Sequence, residues 1–287
     1  MSTSNSPIKL IECPRDAMQG LDYFIDTEDK IKYLNLLLKV GFDTLDFGSF
    51  VSPKAIPQMA DTALVLEGLD YSSDTKLLAI VANLRGAEDA LKYDRINYIG
   101  YPFSISETFQ KRNTNSTIKN SLVLVEELLD KSSKANKELV IYLSMAFGNP
   151  YGDVWDTDIV QHYCEELVKR SVKTIALSDT TGVSTAHSIT EVFGRVCSQF
   201  QEIEVGVHLH SSPDTWEEKV DAAYKNGCRR FDSAIKGFGG CPMATDKLIG
   251  NIATENLLNY FERQNLEVIS NRQAFTEAFE FSASIFR

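Results

Sequence analysis

The chain has 287 residues, of which 43% are hydrophobic and 24% are charged. This composition is ordinary for a globular protein that buries a large core. The formal net charge of −11 at pH 7 argues against nucleic acid or an anionic membrane surface as the main partner.

Short β-branched segments alternate with longer amphipathic segments along the chain. The predicted strands are residues 8–13, 44–47, 77–82, 96–101, 140–146, 174–178, 205–210 and 231–233. The predicted helices are residues 29–40, 61–69, 87–92, 117–136, 156–169, 189–199, 215–226 and 254–264. Strict alternation of strand and helix implies a parallel sheet with the helices outside it.

Eight such units favour closure of the sheet. The pattern predicts an α/β fold, a (β/α)8 TIM barrel, which needs roughly 250 residues. No GxGxxG motif opens the first helix, which argues against a dinucleotide-binding open sheet. The segment after Gln264 predicts a C-terminal helical extension that packs on the barrel or on a partner subunit. We expect residues 1–7 to form a disordered tail and residues 8–287 to form one TIM-barrel domain.

The cysteines and the N-terminal residues indicate the cellular compartment in which we expect the protein. The five cysteines are odd in number, widely spaced and without a CxxC pair, so neither a disulfide framework nor a structural zinc site is indicated. Residues 1–7 lack the apolar or Arg-rich character of a targeting segment. No segment approaches the roughly 20 apolar residues of a membrane span. We therefore expect a cytoplasmic protein.

Polar side chains follow most of the predicted strands. In TIM barrels the active site lies at the C-terminal ends of the strands, so these side chains are the candidate site residues. They are Arg15 and Asp16 after the first strand, Asp46 at the second, Asp179 after the sixth, His208 and His210 at the seventh, and Cys241 and Asn251 after the eighth.

His208 and His210 form the most specific of these patterns. Residues i and i+2 of a strand point to the same side, so both imidazoles face the barrel interior at its rim. Two half-buried histidines bonded to backbone carbonyls are the alternative, but Asp16 at the same opening favours a metal site. A mixed nitrogen and oxygen ligand set with positions open for substrate suits Mg²⁺ or Mn²⁺ better than a closed tetrahedral Zn²⁺.

The other candidates have structural alternatives. Arg15 reaches the cleft if it lies in a loop, where its guanidinium stabilises an enolate or a carboxylate; otherwise it is a surface arginine paired with a neighbouring acid. Asp179, in SDTTG, also fits an Asx-turn or a helix N-cap. Cys241, in GFGGCP, also fits a small buried residue, although the glycines favour a mobile loop that closes over a site.

Six motifs occur in a characteristic order along the chain. They are PRDAMQ at 14–19, SFVSPKAIPQM at 49–59, SDTTG at 178–182, HLH at 208–210, GFGGCP at 237–242 and GNIATEN at 250–256. From about Ile8 to Gln264 the chain resembles the metal-dependent lyase and acyltransferase barrels and, within them, the hydroxymethylglutaryl-CoA lyases. The SFVSPK…PQM and GGCP segments separate these lyases from the related acyltransferases.

The resemblance implies roles for the candidate residues. Asp16, His208, His210 and Asn251 would bind the divalent metal. The implied catalytic residues are Arg15 for the enolate, Asp16 at the metal, Asp46 in the place of a family glutamate, Asp179 near the reacting hydroxyl, His208 or Asp179 as the base, and Cys241 as a proton donor or acceptor. The implied reaction is a retro-Claisen cleavage of 3-hydroxy-3-methylglutaryl-CoA to acetyl-CoA and acetoacetate, in leucine degradation, by a homodimer.

Several positions depart from the family pattern. PRDAMQ replaces the usual PRDGLQ, Gly20 and Leu21 replace a following Asn-Glu, and Met243 stands where a tyrosine is expected. The first two changes alter the mouth where CoA should enter, and Asp46 is one methylene shorter than the family glutamate. They motivate an alternative, a related lyase or acyltransferase that acts on another 3-hydroxyacyl-CoA or 2-oxo acid. A non-catalytic barrel that binds CoA or a partner protein would require a broken metal set, whereas all four implied ligands are present.

Overall fold

Eight parallel strands close into a barrel in the computed structural model, which describes residues 6–70, 72–240 and 249–287. The strands are β1 (Lys9–Glu12), β2 (Thr44–Ser49), β3 (Lys76–Ile80), β4 (Ile96–Ser104), β5 (Glu138–Ser144), β6 (Thr174–Ser178), β7 (Glu204–His208) and β8 (Arg230–Ser233). Each strand pairs with its neighbours in the chain, and β1 pairs with β8. The predicted (β/α)8 TIM barrel is therefore confirmed.

The helices surround this barrel. They are α1 (Pro14–Gln19), α2 (Thr27–Leu38), α3 (Thr62–Glu67), α4 (Leu84–Ala90), α5 (Glu107–Thr114), α6 (Ile118–Lys134), α7 (Thr157–Lys169), α8 (Ala186–Gln199), α9 (Trp216–Lys225), α10 (Thr254–Arg263) and α11 (Arg272–Ile285). The predicted C-terminal extension is α11, which packs on α2 through contacts such as the stacked rings of Phe281 and Tyr33. Within the described residues, no helix has the length and apolar character needed to cross a membrane.

Strand alternation divides the buried residues into two sets. The larger set lies between the strands and the helices and includes Leu10, Leu45 and Ile141. A smaller apolar set fills the lumen and consists of Leu78, Ile80, Tyr98, Val140, Tyr142 and Ala176. Because successive side chains of a strand point to opposite faces, every second residue of each strand enters the lumen. The lumen is thus a packed core whose upper rim carries the functional residues.

Two short helices were not predicted from the sequence. Helix α1 begins directly after β1, with Pro14 at its first position, where the fixed φ of proline suits a helix and the missing N–H costs nothing. Helix α5 begins with Ser106 as N-cap, whose side chain accepts a hydrogen bond from the Phe109 N–H. Both helices have six to eight residues, too few for apolar periodicity to reveal them.

A buried carboxyl group connects the first strand of the barrel to the segments that follow the last strand. Glu12 on β1 accepts hydrogen bonds from the Ile235 N–H at 2.9 Å and from Thr254 Oγ1. Burial raises the pKa of Glu12 to about 8, and the two hydrogen bonds only partly offset this effect. At neutral pH the carboxyl group is therefore mostly protonated, as expected for an acid without a cationic partner.

The raised pKa of Glu12 predicts a pH-dependent stability. Because its folded pKa of about 8 lies above the ordinary value of 4.5, its contribution is complete below pH 4.5 and is lost as pH rises through 8. The loss is at most about 1.4 kcal/mol per pH unit for one proton. We expect Glu12→Gln to flatten the fall in Tm over this range. Glu138→Gln, at an exposed glutamate of β5, is the control; an equally steep fall in both variants would contradict the assignment.

Candidate active site

A cavity of about 380 Å³ opens at the C-terminal ends of the strands. Its inner end is polar and is lined by Arg15, Asp16, His208 and His210. Its outer wall carries apolar side chains, including those of Val51, Ile56, Ile80, Pro102 and Phe109. A small set of charged groups at the end of a largely apolar cleft is typical of a small-molecule site.

Helix α1 holds Arg15 between two carboxylates. Its Nε donates to Asp46 Oδ1 at 3.2 Å and to Oδ2 at 3.1 Å, and its Nη2 donates to the same carboxylate. Its Nη1 donates to Asp16 Oδ1 at 3.0 Å. The prediction that Arg15 and Asp16 reach the cleft from a loop was wrong in its local structure, because Pro14 begins a helical turn there. Both side chains still line the cavity.

The charges in this cluster shift the pKa values of both acids. Burial raises the pKa of Asp46 to about 6, although Arg15 acts in the opposite direction. Burial would also raise the pKa of Asp16, but Arg15, His208 and His210 outweigh it and hold that pKa well below its usual range. Asp16 is thus an ionised carboxylate at neutral pH, as a metal ligand must be.

The segment after β8 brings Asn251 beside Asp16 and His210. His210 and Asn251 form an isolated β-bridge, supported by the Ser211 N–H, which donates to the Gly250 carbonyl at 3.0 Å. Asn251 Nδ2 donates to Asp16 Oδ2 at 2.6 Å and to the Phe238 carbonyl at 2.8 Å. Asn251 Oδ1 is buried and has no hydrogen-bond partner in the described part of the chain.

The two histidines face each other across the rim. His208 Nε2 lies 3.2 Å from His210 Nε2, and His208 Nδ1 lies 3.1 Å from Asp232 Oδ2. Burial and the neighbouring His208 lower the pKa of His210 to about 4. Burial opposes protonation of His208 as well, but Asp232 outweighs it and raises that pKa. His210 is therefore neutral at physiological pH, the form that binds metals.

These residues fit a divalent metal ion. Ligand atoms of Asp16, His208 and His210 all lie within 4.8 Å of one another. The side-chain amide of Asn251 contacts Asp16 through Nδ2, and the Oδ1 atom of the same amide has no hydrogen-bond partner in the described residues. Two imidazoles, a carboxylate and an amide oxygen form a mixed donor set. A second cluster in the described residues, Cys13 with His208 and Asp232, uses a buried thiol whose pKa burial raises well above its usual value. That thiol keeps its proton, which disfavours ligation.

Asp179 is directed away from the cavity. Its carboxylate accepts hydrogen bonds from Lys219 Nζ at 2.9 Å and from Ser184 through both the backbone N–H and the hydroxyl group. Lys219 also donates to the His210 carbonyl at 2.8 Å. Asp179 is absent from the described residues that line the cavity. The structure thus joins Asp179 to the loop that supports His210.

The remaining site residues differ in whether the sequence alone could have identified them. Cys241 lies outside the described residues. Gln19, which donates to Asp16 Oδ1 at 2.7 Å, lies in the PRDAMQ motif and one helical turn from Asp16, so its position was inferable. Asp232 and Lys219 were missed, because a single acid in a strand and a single lysine in an amphipathic helix carry no local signal.

Comparison with known proteins places the chain among lyases. The HMGL-like family model matches residues 8–282. The hydroxymethylglutaryl-CoA lyase of Bacillus subtilis is 32% identical over 88% of this chain and 84% of its own length. The 3-hydroxy-3-isohexenylglutaryl-CoA/hydroxymethylglutaryl-CoA lyase of Pseudomonas aeruginosa is 33% identical over 88% and 83%.

A solved structure extends this similarity to three dimensions. The HMG-CoA lyase of Acinetobacter baumannii in complex with coenzyme A and 3-methylmalate superposes with a TM-score of 0.90 at 28% identity, over 97% of this chain and 91% of that one. The family model, the relatives and the fold agree over most of the chain. The chain therefore belongs to the HMGL-like family.

Proposed function

We propose that the chain is a divalent-metal-dependent carbon–carbon lyase that cleaves 3-hydroxy-3-methylglutaryl-CoA to acetyl-CoA and acetoacetate. The observation that carries the proposal is the cluster of Asp16, His208 and His210 beside Arg15 at the inner end of the cavity. Membership in the HMGL-like family supports the reaction, and the coenzyme A in the related complex supports an acyl-CoA substrate.

Asp16, His208, His210 and Asn251 are the proposed ligands of Mg²⁺ or Mn²⁺. When bound, such an ion supplies a Lewis acid that polarises the substrate hydroxyl and carboxylate oxygens. Arg15 and Gln19 hold Asp16 Oδ1, and Asn251 holds Oδ2. These contacts orient the carboxylate before any ligand arrives.

Proton removal from the substrate hydroxyl is assigned to His208. Of the two candidate bases, His208 lines the cavity, whereas Asp179 is directed toward Lys219 and Ser184. His208 Nδ1 contacts Asp232, so Nε2 is the atom that accepts the proton. The lone pair of His208 Nε2 can bind a metal or a proton but not both, so His208 would serve either as a metal ligand, with Asp16, His210 and Asn251, or as the base.

Arg15 is proposed to stabilise the enolate that forms when the carbon–carbon bond breaks. Asp46 binds the guanidinium through Nε and Nη2 and so fixes its plane, and this contact is the proposed role of Asp46. A preoriented charge in a site shielded from water stabilises a developing oxyanion strongly. The proposed role of Cys241 in transferring a proton rests on the family resemblance alone. The homodimer, the cytoplasmic location and the place in leucine degradation stay predictions.

A second candidate is a related lyase with a larger acyl substrate. The cavity wall is apolar at Val51, Ile80, Pro102 and Phe109, and burying one additional methylene group there contributes about 0.8 kcal/mol. The Pseudomonas aeruginosa relative is named for both an isohexenyl and a methyl substrate. A panel of 3-hydroxyacyl-CoA thioesters with longer 3-substituents tests this candidate, and a higher kcat/KM on any of them than on the methyl compound would favour it.

The principal test is turnover of the proposed substrate. The protein is stripped of metal, resupplied with Mg²⁺ or Mn²⁺, and incubated with 3-hydroxy-3-methylglutaryl-CoA. We expect acetoacetate and acetyl-CoA in equal amounts, with formation abolished by a chelator. A protein that binds metal and yields neither product, while the longer thioesters are cleaved, would replace this proposal by the second candidate.

The ligand assignment predicts a loss of metal binding in His210→Ala. Because this change removes one of two imidazoles, we expect Mn²⁺ affinity and lyase activity to fall together by at least about 100-fold. His187→Ala is the matched control, since His187 is exposed on α8. Mn²⁺ binding is measured by calorimetry, and wild-type affinity in the His210 variant would refute the assignment.

Arg15→Gln separates the chemical step from metal binding. We expect Mn²⁺ to bind and kcat to fall by about 10²–10³-fold, because the lost charge acts on the transition state. The variant leaves the buried Asp46 without its cationic partner. The double variant Arg15→Gln/Asp46→Asn, which has no unpaired buried carboxyl group, is therefore measured beside it. Arg195→Gln, at an exposed position of α8, is the control. An unchanged kcat in a folded variant would exclude Arg15 from the reaction.

A further inference from the structure

A carboxylate below the rim has no role yet in the proposed reaction. Asp232 on β8 lies beside His208 on β7, because Val207 pairs with Phe231 and the next residue of each strand enters the lumen. Asp232 Oδ2 lies 3.1 Å from His208 Nδ1, and the Asp232 side chain is fully buried. Water therefore does not compete for this contact.

The contact selects one orientation of the imidazole ring. A neutral imidazole carries one N–H, and a carboxylate at Nδ1 places that hydrogen there and leaves the lone pair on Nε2. His208 Nε2 faces His210 Nε2 at 3.2 Å. The Tyr142 ring packs edge-on against the His208 ring, with centroids 5.6 Å apart. Asp232 and Tyr142 thus limit rotation of His208 from two sides.

An arginine in the lumen accompanies this carboxylate. Arg230 lies two residues before Asp232 on β8 and is 1% exposed. Its side chain crosses β7 at Gly206, where a Cβ atom would lie 2.8 Å from Arg230 Cδ, so only glycine leaves room for it. Arg230 Nε and Nη2 and Asp232 Oδ1 are buried without a hydrogen-bond partner in the described ranges. Burial opposes the raised pKa of Arg230, and Asp232 is the main group that raises it, ahead of Glu204, whose Oε2 lies 3.8 Å from Arg230 Nη1. The charge of Arg230 thus acts on Asp232 and offsets part of the high cost of a carboxylate in a dry lumen.

We propose that Asp232 is a positioning residue of this site, which holds His208 with Nδ1 protonated and Nε2 directed at the ligand cluster, and that Arg230 compensates its charge. The inference rests on the proposed function, because that function is what gives His208 Nε2 a role at the site. Contacts to the second nitrogen of a histidine ligand commonly raise metal affinity and fix the tautomer.

Two readouts test the proposal without turnover. In metal-free protein with ¹⁵N-labelled histidine, studied at a pH above the raised pKa of His208 so that its ring is neutral, we expect the His208 signal, identified with a His208→Gln variant, to show protonated Nδ1 and unprotonated Nε2. Asp232→Asn retains the shape but removes the negative charge that favours a proton on Nδ1, so we expect a larger share of the Nε2-protonated ring and a fall in Mn²⁺ affinity of about 10–100-fold. In the assay, kcat falls while KM stays within about twofold.

Controls separate this role from a merely structural one. Asp43→Asn, at a partly exposed acid just before β2, is expected to leave all three readouts unchanged. If Asp232→Asn does not fold, Arg230→Met keeps the histidine contact and is expected to lower Mn²⁺ affinity by a smaller factor. A neutral wild-type His208 ring with its proton on Nε2, or Mn²⁺ affinity within twofold of wild type in either variant, would overturn the proposal. Failure of the wild type to cleave the thioester would refute the function and leave both readouts valid.

Discussion

The pairing of β1 with β8 is the constraint on which the site depends. It aligns Lys9 with Arg230 and Glu12 with Ser233, so the first and last strands of the chain become neighbours. Asp16, just after β1, then meets Asn251, which is 235 residues away. Without closure His208, at the end of β7, and His210, just after it, would have no carboxylate opposite them, and the candidate metal site would not exist.

The buried charges around the site are balanced by pairs. Arg15 lies between Asp16 and Asp46, and Lys219 contacts Asp179. Buried ions are tolerated when a partner and hydrogen bonds replace water, and these pairs meet that condition. A chain with a net charge of −11 can therefore present Arg15 to an anionic substrate, because the local field at one cleft differs from the average of the surface.

Sequence reasoning was strongest where a residue is defined by its place at a strand end. The HxH pair, Asp16 and Asn251 were predicted to converge, and the structure brings them together. Sequence reasoning was weaker where the direction of a side chain decides what it contacts. Asp179 follows β6 as expected, but its side chain binds Lys219 on α9, since a buried carboxylate without a cation would be costly. That partner lies 40 residues further along the chain, and no spacing rule connects the two.

The sequence by itself determined the periodicity of eight strands and helices, the rim positions of the polar residues and the donor types at the candidate metal site. These are local properties, because side-chain alternation and turn chemistry act over a few residues. Tertiary structure alone decided which nitrogen of His208 faces the cavity, that Arg15 projects from a helix, and that Asp232 and Arg230 lie beneath the site. Those features depend on distances across the closed lumen, which are set by strand register and packing.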